Sequence, residues 1–381
     1  MTAIAIVGAA VFDGQTLAEG HALLIEGGVC RGVVPEAGAP TGYAVRRVDG
    51  GTVLPGFVDL QVNGGGGVMV DGRIDVDGLR AVAAAHAARG TAAILPTLIT
   101  DTPANTRAVI EAVARAVAEN VPGIAGLHLE GPHIAPARKG AHDPALIRPM
   151  EAGDEALLVE AAARLPALMV TLAPEAATPA QIARLAQAGV IVSLGHSDCS
   201  YDAGLAAIAA GAACVTHLFN AMSQLGSREP GLVGAALQSG AVSAGLIADA
   251  VHVHPATLRA ALAAKRGPGR LFLVTDAMAP AGTDLTEFRL NGRRVLRRDG
   301  RLTLEDGTLA GADLDMPRAL AVLEHDVGLA RAEALAMATS GPAGLLRGAR
   351  GLGRFVPGER AQAIHLGADG TTVTWLAPSA C

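Results

Sequence analysis

Residues 126–143 read GLHLEGPHIAPARKGAHD. Gly126 to Leu129 is a short apolar run of the kind used by a strand buried on both faces. It stops on Glu130, and the Gly131-Pro132 that follows continues neither a strand nor a helix. A carboxylate at the tip of a buried strand is costly unless something pairs with it. A metal ion is one such partner, and open solvent is the plainer alternative. The choice between them depends on what the other strand tips carry.

Working outward, the same texture recurs from Val53 onward: apolar strand, polar tip, Ala-rich helical stretch. Eight candidate strands stand out, at Phe57–Val62, Ala92–Leu98, Gly126–Leu129, Leu168–Ala173, Val190–Leu194, Ala213–Thr216, Ala244–Ala248 and Leu271–Thr275. Helical stretches such as Gly78–Arg89, Asn105–Ala118, Pro179–Ala188 and Tyr201–Ala210 separate them, and Pro317–His325 and Ala332–Thr339 follow the last. Eight such units over roughly 250–300 residues predict an α/β fold, a closed (β/α)8 TIM-like barrel. A doubly wound open sheet is the alternative, but it wants a GxGxxG loop after its first strand. Gly64–Gly67 lacks that spacing and reads as a flexible loop.

The two ends read differently. Residues 1–52 alternate short β-like runs (Ala3–Ile6, Ala22–Glu26, Val29–Val34, Val45–Val48) with Gly turns, and leave no room for a useful helix. β texture returns at Ala361–Leu366 and Thr371–Leu376. The expected division is a small β-sandwich domain from residues 1–52 plus 350–381, with the barrel, 53–349, inserted in it. A β-hairpin insertion near 286–308 is signalled by Asn291-Gly292, a favoured two-residue turn.

Composition narrows the function. Half of the 381 residues are apolar but only 2% are aromatic, so Ala, Val, Leu and Ile must build the core. So few aromatics, with a net charge of −6, argue against a nucleic-acid partner. Cys30, Cys199, Cys214 and Cys381 form no CxxC pair and no framework, which suits reduced thiols in the cytoplasm. The N-terminus has no basic region ahead of its apolar stretch, and no apolar run reaches about 18 residues. Neither a signal peptide nor a membrane span is expected.

The strand tips carry Asn63, Glu130, His196, His217, Asp249 with His252, and Asp276, and seven of the eleven histidines lie between His128 and His254. A single histidine at a strand end is most often a hydrogen-bonded structural residue. Two at successive tips, with a carboxylate on a third, point to a metal site. Imidazole and carboxylate suit zinc or another borderline divalent ion. Three ligands leave a position for water, whose pKa zinc lowers to about 7. Asp276, in LVTDAMAPAG, is then the candidate acid/base, its plain alternative being a turn cap.

LPGFVDLQVNG, GLHLEGPHIAPARKGAH, VTLAPE, VSLGHSD, THLFNAM, REPGLVGAAL, IADAVHV, LVTDAMAPAG and GTLAGADLDM occur in order over nearly the whole chain. Together they resemble the N-acetylglucosamine-6-phosphate deacetylase family of the amidohydrolase superfamily. The resemblance implies a homodimeric enzyme that hydrolyses the acetamide of an amino-sugar phosphate. Glu130, His196 and His217 match the family's metal ligands, and Asp276 its catalytic acid/base. His142 matches the histidine that polarises the scissile carbonyl, with Ala141 beside it. Asn220 and Ala221 match positions that hold the sugar phosphate, and Arg228 and His252 match its charged contacts. Either of those two is a candidate to serve the neighbouring subunit. Asp249 begins the segment leading to His252, and Leu309, Ala310 and Gly311 match a loop that closes over the sugar.

Chemistry supports several of these roles separately. A phosphate dianion needs charge-assisted donors, and Arg228 is the natural one in an acidic chain, its plain alternative being a solvated surface arginine. The sequence also departs from the superfamily. Gln61-Val62-Asn63 stands where many members carry His-x-His for a second metal, and amides are poor zinc ligands, so one ion per subunit is expected. Gln362 stands where an Asp is usual, and Ala312 replaces a commonly seen Ser. His128, His133, His254 and Cys199 are read as structural. The rival readings are a deacetylase for an isomeric sugar such as N-acetylgalactosamine 6-phosphate, an amidohydrolase for a cyclic amide, and a scaffold that has lost the chemistry. Retention of every candidate ligand and of Asp276 weighs against the last.

Overall fold

The computed structural model describes residues 3–377, so Cys381 lies outside the described residues. Eight parallel strands form one sheet: β1 (Phe57–Val62), β2 (Thr91–Ile99), β3 (Leu127–Glu130), β4 (Leu168–Leu172), β5 (Ile191–Leu194), β6 (Cys214–Val215), β7 (Ser243–Leu246) and β8 (Leu271–Leu273). Each pairs with the next in chain order. All eight coincide with the strands expected from the apolar runs. Strands covered on both faces show as unbroken hydrophobic segments, and most of these are fully buried. The shared core is aliphatic, with Phe57 and Phe272 among its few aromatic members.

β8 and β1 close the ring through their extensions. Val62 bridges Ala277, the Asp276 amide donates to the Gln61 carbonyl at 3.0 Å, and the Asn63 amide donates to the Ala277 carbonyl at 2.8 Å. Deeper in this seam the fully buried Asp59 replaces a backbone rung. Its carboxylate accepts from the Gln61 amide at 3.2 Å, and from the amide and hydroxyl of Thr275.

Burial pushes the Asp59 carboxyl up to about 7, although the Thr275 hydroxyl and the backbone donors oppose the shift. The folded state therefore binds more protons than the unfolded chain between about pH 4 and pH 7. The contribution of this group to stability falls as pH rises through that window. The difference in unfolding free energy between the protein and its Asp59→Asn variant, from urea titrations at several pH values, is expected to shrink over this range. A flat difference would mean that the carboxyl is ionised throughout.

Two further sheets, built from both ends of the chain, sandwich a second apolar cluster. One runs Val29–Pro35, His21–Glu26, Ala3–Val7, Ala44–Arg47. The other runs Val373–Ala377, Ala363–Leu366, Thr52–Pro55, Ala10–Phe12, Leu17–Ala18. Ile6, Leu23 and Ile25 from the first meet Val11, Val53, Ala363 and Leu376 from the second. Thr52–Pro55 leads through Gly56 directly into β1, so the sandwich fixes where the barrel begins.

Three local expectations need correction. Gly64–Gly67 is not a flexible loop. Gly64–Gly65 pairs with Val68–Met69, and a Cβ on the buried Gly64 would lie 2.4 Å from the Val68 carbonyl oxygen, so glycine is required by close packing. The insertion is a four-stranded antiparallel sheet rather than a hairpin: Glu287–Leu290, Arg293–Arg298, Arg301–Leu304 and Leu309–Ala312. Its Asn291-Gly292 turn has both residues at positive φ, as expected, but the Leu-Ala-Gly-Ala strand carries too little β propensity to announce itself. The helix read at Pro317–His325 is α-helical over Met316–Ala321 and widens into a π turn over Val322–Val327.

Candidate metal centre and active-site cavity

The C-terminal ends of the barrel strands deliver the polar residues to one mouth. Glu130 ends β3, while His196, His217 and Asp276 lie two or three residues beyond β5, β6 and β8. These last three have positive φ values of 48°, 26° and 51°. Such left-handed backbone is costly for residues with a Cβ and is tolerated where the surroundings impose it, here to turn the side chains into the mouth.

Glu130, His196 and His217 converge. Glu130 Oε1 lies 3.2 Å from His196 Nε2 and 3.0 Å from His217 Nε2, and the two imidazole nitrogens are 3.1 Å apart. The tautomer of His196 is set by its other nitrogen. Nδ1 faces the Arg138 carbonyl oxygen at 2.8 Å and must donate to it, so a neutral ring presents a lone pair at Nε2. Lone pairs of His196 and Glu130 therefore face each other with no proton between them. A single hydrogen on His217 Nε2 cannot serve both. All three side chains are buried, and His217 Nδ1 has no partner among the described residues. A divalent cation fits this donor set, since it accepts all three lone pairs at once.

His142 completes the group, and its ligand atom lies within 4.8 Å of those of Glu130 and His196. Its Nδ1 meets the Thr100 hydroxyl at 2.7 Å and the Thr100 backbone N–H at 3.4 Å. An amide N–H can only donate, so Nδ1 accepts and the proton sits on Nε2, which looks toward Glu130 Oε2 at 3.8 Å. Burial, with the neighbouring His196 adding to it, pushes the His142 pKa down to about 3, so the ring is a neutral hydrogen-bond donor. Gly131 permits this arrangement, because a Cβ there would lie 2.2 Å from the Thr100 hydroxyl.

Asp276 is held by two amides. Its Oδ1 accepts from Asn63 Nδ2 at 2.6 Å and from Gln61 Nε2 at 3.2 Å, and the same Gln61 nitrogen donates to Glu130 Oε1 at 3.1 Å. Neutral donors thus stand between two carboxylates where a second cation would otherwise be needed. Burial raises the Asp276 carboxyl to about 6, and the charge of Glu130 adds to the rise. For Glu130, burial also opposes ionisation, but the facing His196 and His217 side chains outweigh it and hold the carboxyl well below its usual range.

These groups line a cavity of about 540 Å³, with Ala141, Asn220, Ala221, His252, Leu309 and Gly311 on its walls. Asp249 lies behind His252, accepting a hydrogen bond from its Nδ1 at 2.7 Å and from the backbone N–H groups of Val251 and His252. Besides Asp249, two residues of the expected set do not face the cavity. The Ala310 side chain is buried among the apolar residues of the inserted sheet. Arg228 sits on an exposed segment outside the lining and makes no ion pair among the described residues.

Sequence reasoning overlooked Thr100, which fixes the His142 tautomer, and Arg293, which donates to the Ala141 carbonyl from the inserted sheet. Neither residue type is unusual at a strand end or a strand start, so nothing in the pattern singles them out. His128 is buried between the Leu60 carbonyl and the Thr171 hydroxyl, and His254 caps the helix Pro255–Ala264.

Residues 52–373 match the Amidohydrolase family. The chain is 43% identical over 332 residues to an N-acetylgalactosamine-6-phosphate deacetylase of Shewanella sp. (strain ANA-3), covering 87% of this chain and 83% of that protein. Among solved structures it is similar to N-acetylglucosamine-6-phosphate deacetylase from Pasteurella multocida, with a TM-score of 0.91, 32% identity and 97% of each chain covered. A mutant of the Mycobacterium smegmatis N-acetyl-D-glucosamine-6-phosphate deacetylase, in complex with N-acetyl-D-glucosamine 6-phosphate, superposes with a TM-score of 0.90 at 32% identity over 99% of each chain. With the barrel, the convergent Glu/His/His group and a family match over most of its length, this chain belongs to the amidohydrolase family.

Proposed function

We propose that the protein hydrolyses the N-acetyl group of N-acetyl-D-glucosamine 6-phosphate, giving D-glucosamine 6-phosphate and acetate. The observation that carries this is the meeting of Glu130, His196 and His217 in one cavity with an anchored carboxyl, Asp276, and a neutral donor, His142. One divalent ion, zinc by the chemistry of the donors, would be held by Glu130, His196 and His217. When bound it supplies a Lewis acid and makes water more acidic.

The side chains do the rest. His142 Nε2–H donates to the scissile carbonyl oxygen as negative charge develops there. Asp276, with Oδ1 taken by Asn63 and Gln61, uses Oδ2 to accept the proton of the attacking water and passes it to the departing amine. Asn220, Ala221 and His252, with Leu309 and Gly311, receive the sugar phosphate. The exposed Arg228 supplies its cationic contact in the neighbouring subunit of a homodimer. Ala310 contributes backbone only. Because Cys30, Cys199 and Cys214 are free and buried, the reading includes a cytoplasmic enzyme, and among the described residues no helix is long and apolar enough to cross a membrane. The division into 1–52 plus 350–381 and 53–349 belongs to the same proposal.

Removing the Asn63 donor tests the anchoring of Asp276. Asn63→Ala is expected to lower kcat about 10- to 100-fold, as for loss of a hydrogen bond to a charged group, with metal content and KM little changed. Unchanged kcat would leave Asn63 a structural role only.

The 43% identity to a protein named for the galactosamine substrate favours a second reading, deacetylation of the galacto epimer. Acetate release from both N-acetyl hexosamine 6-phosphates and from their unphosphorylated parents decides between them. The proposal expects the gluco phosphate to lead by at least about tenfold in kcat/KM, the scale of a modest contact difference. A reversed ratio installs the galacto reading, and equal turnover of the unphosphorylated sugars removes the phosphate assignments.

A further inference from the structure

The cavity has a second wall that the reaction does not use. Ile99, Met278 and Leu290 line it, are 7%, 4% and 3% exposed, and belong to one apolar cluster with Val295, Leu302 and Leu304 of the inserted sheet. The wall adjoins both groups assigned to the amide. Ile99 precedes Thr100, which holds His142, and Met278 follows Asp276 by two residues. It stands on the β8–β1–β2 side of the mouth. Asn220 lies beyond β6, across the mouth from β2, and His252 beyond β7, next to β8.

A secondary amide strongly prefers the trans form, in which the acyl carbon and the nitrogen substituent point to opposite sides of the C–N bond. A sugar directed toward Asn220, with its carbonyl between the ion site and His142, sends its acyl methyl away from that residue, onto the apolar wall. From this we infer that Ile99, Met278 and Leu290 form the acyl subsite and set the size of the acyl group removed. The inference rests on the deacetylase reading above and deepens it.

The wall is built to resist. Gly311 has φ +67°, and a Cβ on it would lie 2.5 Å from Met278 Cγ and 2.6 Å from its Cε, so the Met278 side chain packs directly on bare backbone. The strand bearing Gly311 is tied to the barrel by the Ala312 amide, which donates to the Asp276 carbonyl at 2.9 Å. Leu290 is packed from behind by the sheet whose first strand it ends. A filled apolar wall discriminates about 10- to 200-fold for each methylene that it must accommodate.

The experiment is a series of N-formyl, N-acetyl, N-propionyl and N-butanoyl glucosamine 6-phosphates, with amine release measured for the protein and for Leu290→Ala, Met278→Ala and the milder Ile99→Val. Metal content and thermal midpoint are followed in each. The protein should lose at least about tenfold in kcat/KM from acetyl to propionyl and again to butanoyl. Leu290→Ala and Met278→Ala should raise the butanoyl-to-acetyl ratio by at least about tenfold, whatever their absolute rates, and Ile99→Val should raise the propionyl-to-acetyl ratio. A flat chain-length profile in the unsubstituted protein, or variants that slow every member equally, overturns the acyl subsite while leaving the deacetylase reading intact. Absence of turnover for every member in metal-replete protein overturns both.

Discussion

Asp276→Asn is expected to keep its metal and its fold but lose about 10²- to 10⁴-fold in kcat, the range for a positioned acid/base. Asparagine is nearly isosteric, and its side-chain oxygen can still accept from Asn63 Nδ2, which lies 2.6 Å from Oδ1 in the protein. What disappears is Oδ2 as a proton acceptor. The substitution therefore separates proton transfer from architecture. Metal analysis and thermal denaturation should not distinguish the variant from the parent, while steady-state acetate release should. Activity within about tenfold of the parent would move the acid/base role to another group.

Glu130→Gln acts one step earlier. The carboxylate is the only anion among the three converging side chains, and its Oε1 lies 3.0–3.2 Å from both imidazole nitrogens. The amide keeps the size, removes the charge and offers a poor ligand in its place. Dialysed variant is expected to hold almost no divalent ion and to lose at least about 10³-fold in turnover, since activation of water by the ion is lost with it. A ligand that binds only the folded state raises stability with its occupancy. Chelation should therefore lower the thermal midpoint of the parent and leave that of Glu130→Gln unmoved. A variant that retains a full equivalent of metal would show that His196, His217 and His142 suffice.

The barrel was legible because its strands are buried on both faces, which leaves an unmistakable apolar run such as FVDLQV or TAAILPTLI ending on a polar tip. The Glu130, His196 and His217 triad was legible for the same reason, as each follows such a run directly. Weaker signals failed where small residues carry the structure. Leu309–Ala312 pairs with the nearby Arg301–Leu304 although its own residues carry little β propensity, and Gly64 is fixed by close packing that only the folded chain reveals. Hydrogen-bond partners of the functional side chains were hidden altogether. Thr100 meets His142 across 42 residues and Asn63 meets Asp276 across 213, and periodicity holds no trace of either pairing. The Gln61–Asn63 pair was noticed as the loss of a metal site, whereas its positive role, donating to Asp276 and Glu130, needed the geometry. Arg228 was read as a phosphate contact, but within this chain it is exposed and lies outside the cavity lining.

The most direct test follows metal and chemistry on one sample: elemental analysis and acetate release from N-acetyl-D-glucosamine 6-phosphate, on protein as purified, after exhaustive chelation, and after stepwise zinc addition. The account predicts that activity vanishes with the metal and returns in proportion to occupancy, reaching its full value at one ion per chain. Full activity in protein stripped of metal, or activity that appears only as a second equivalent binds, would contradict it.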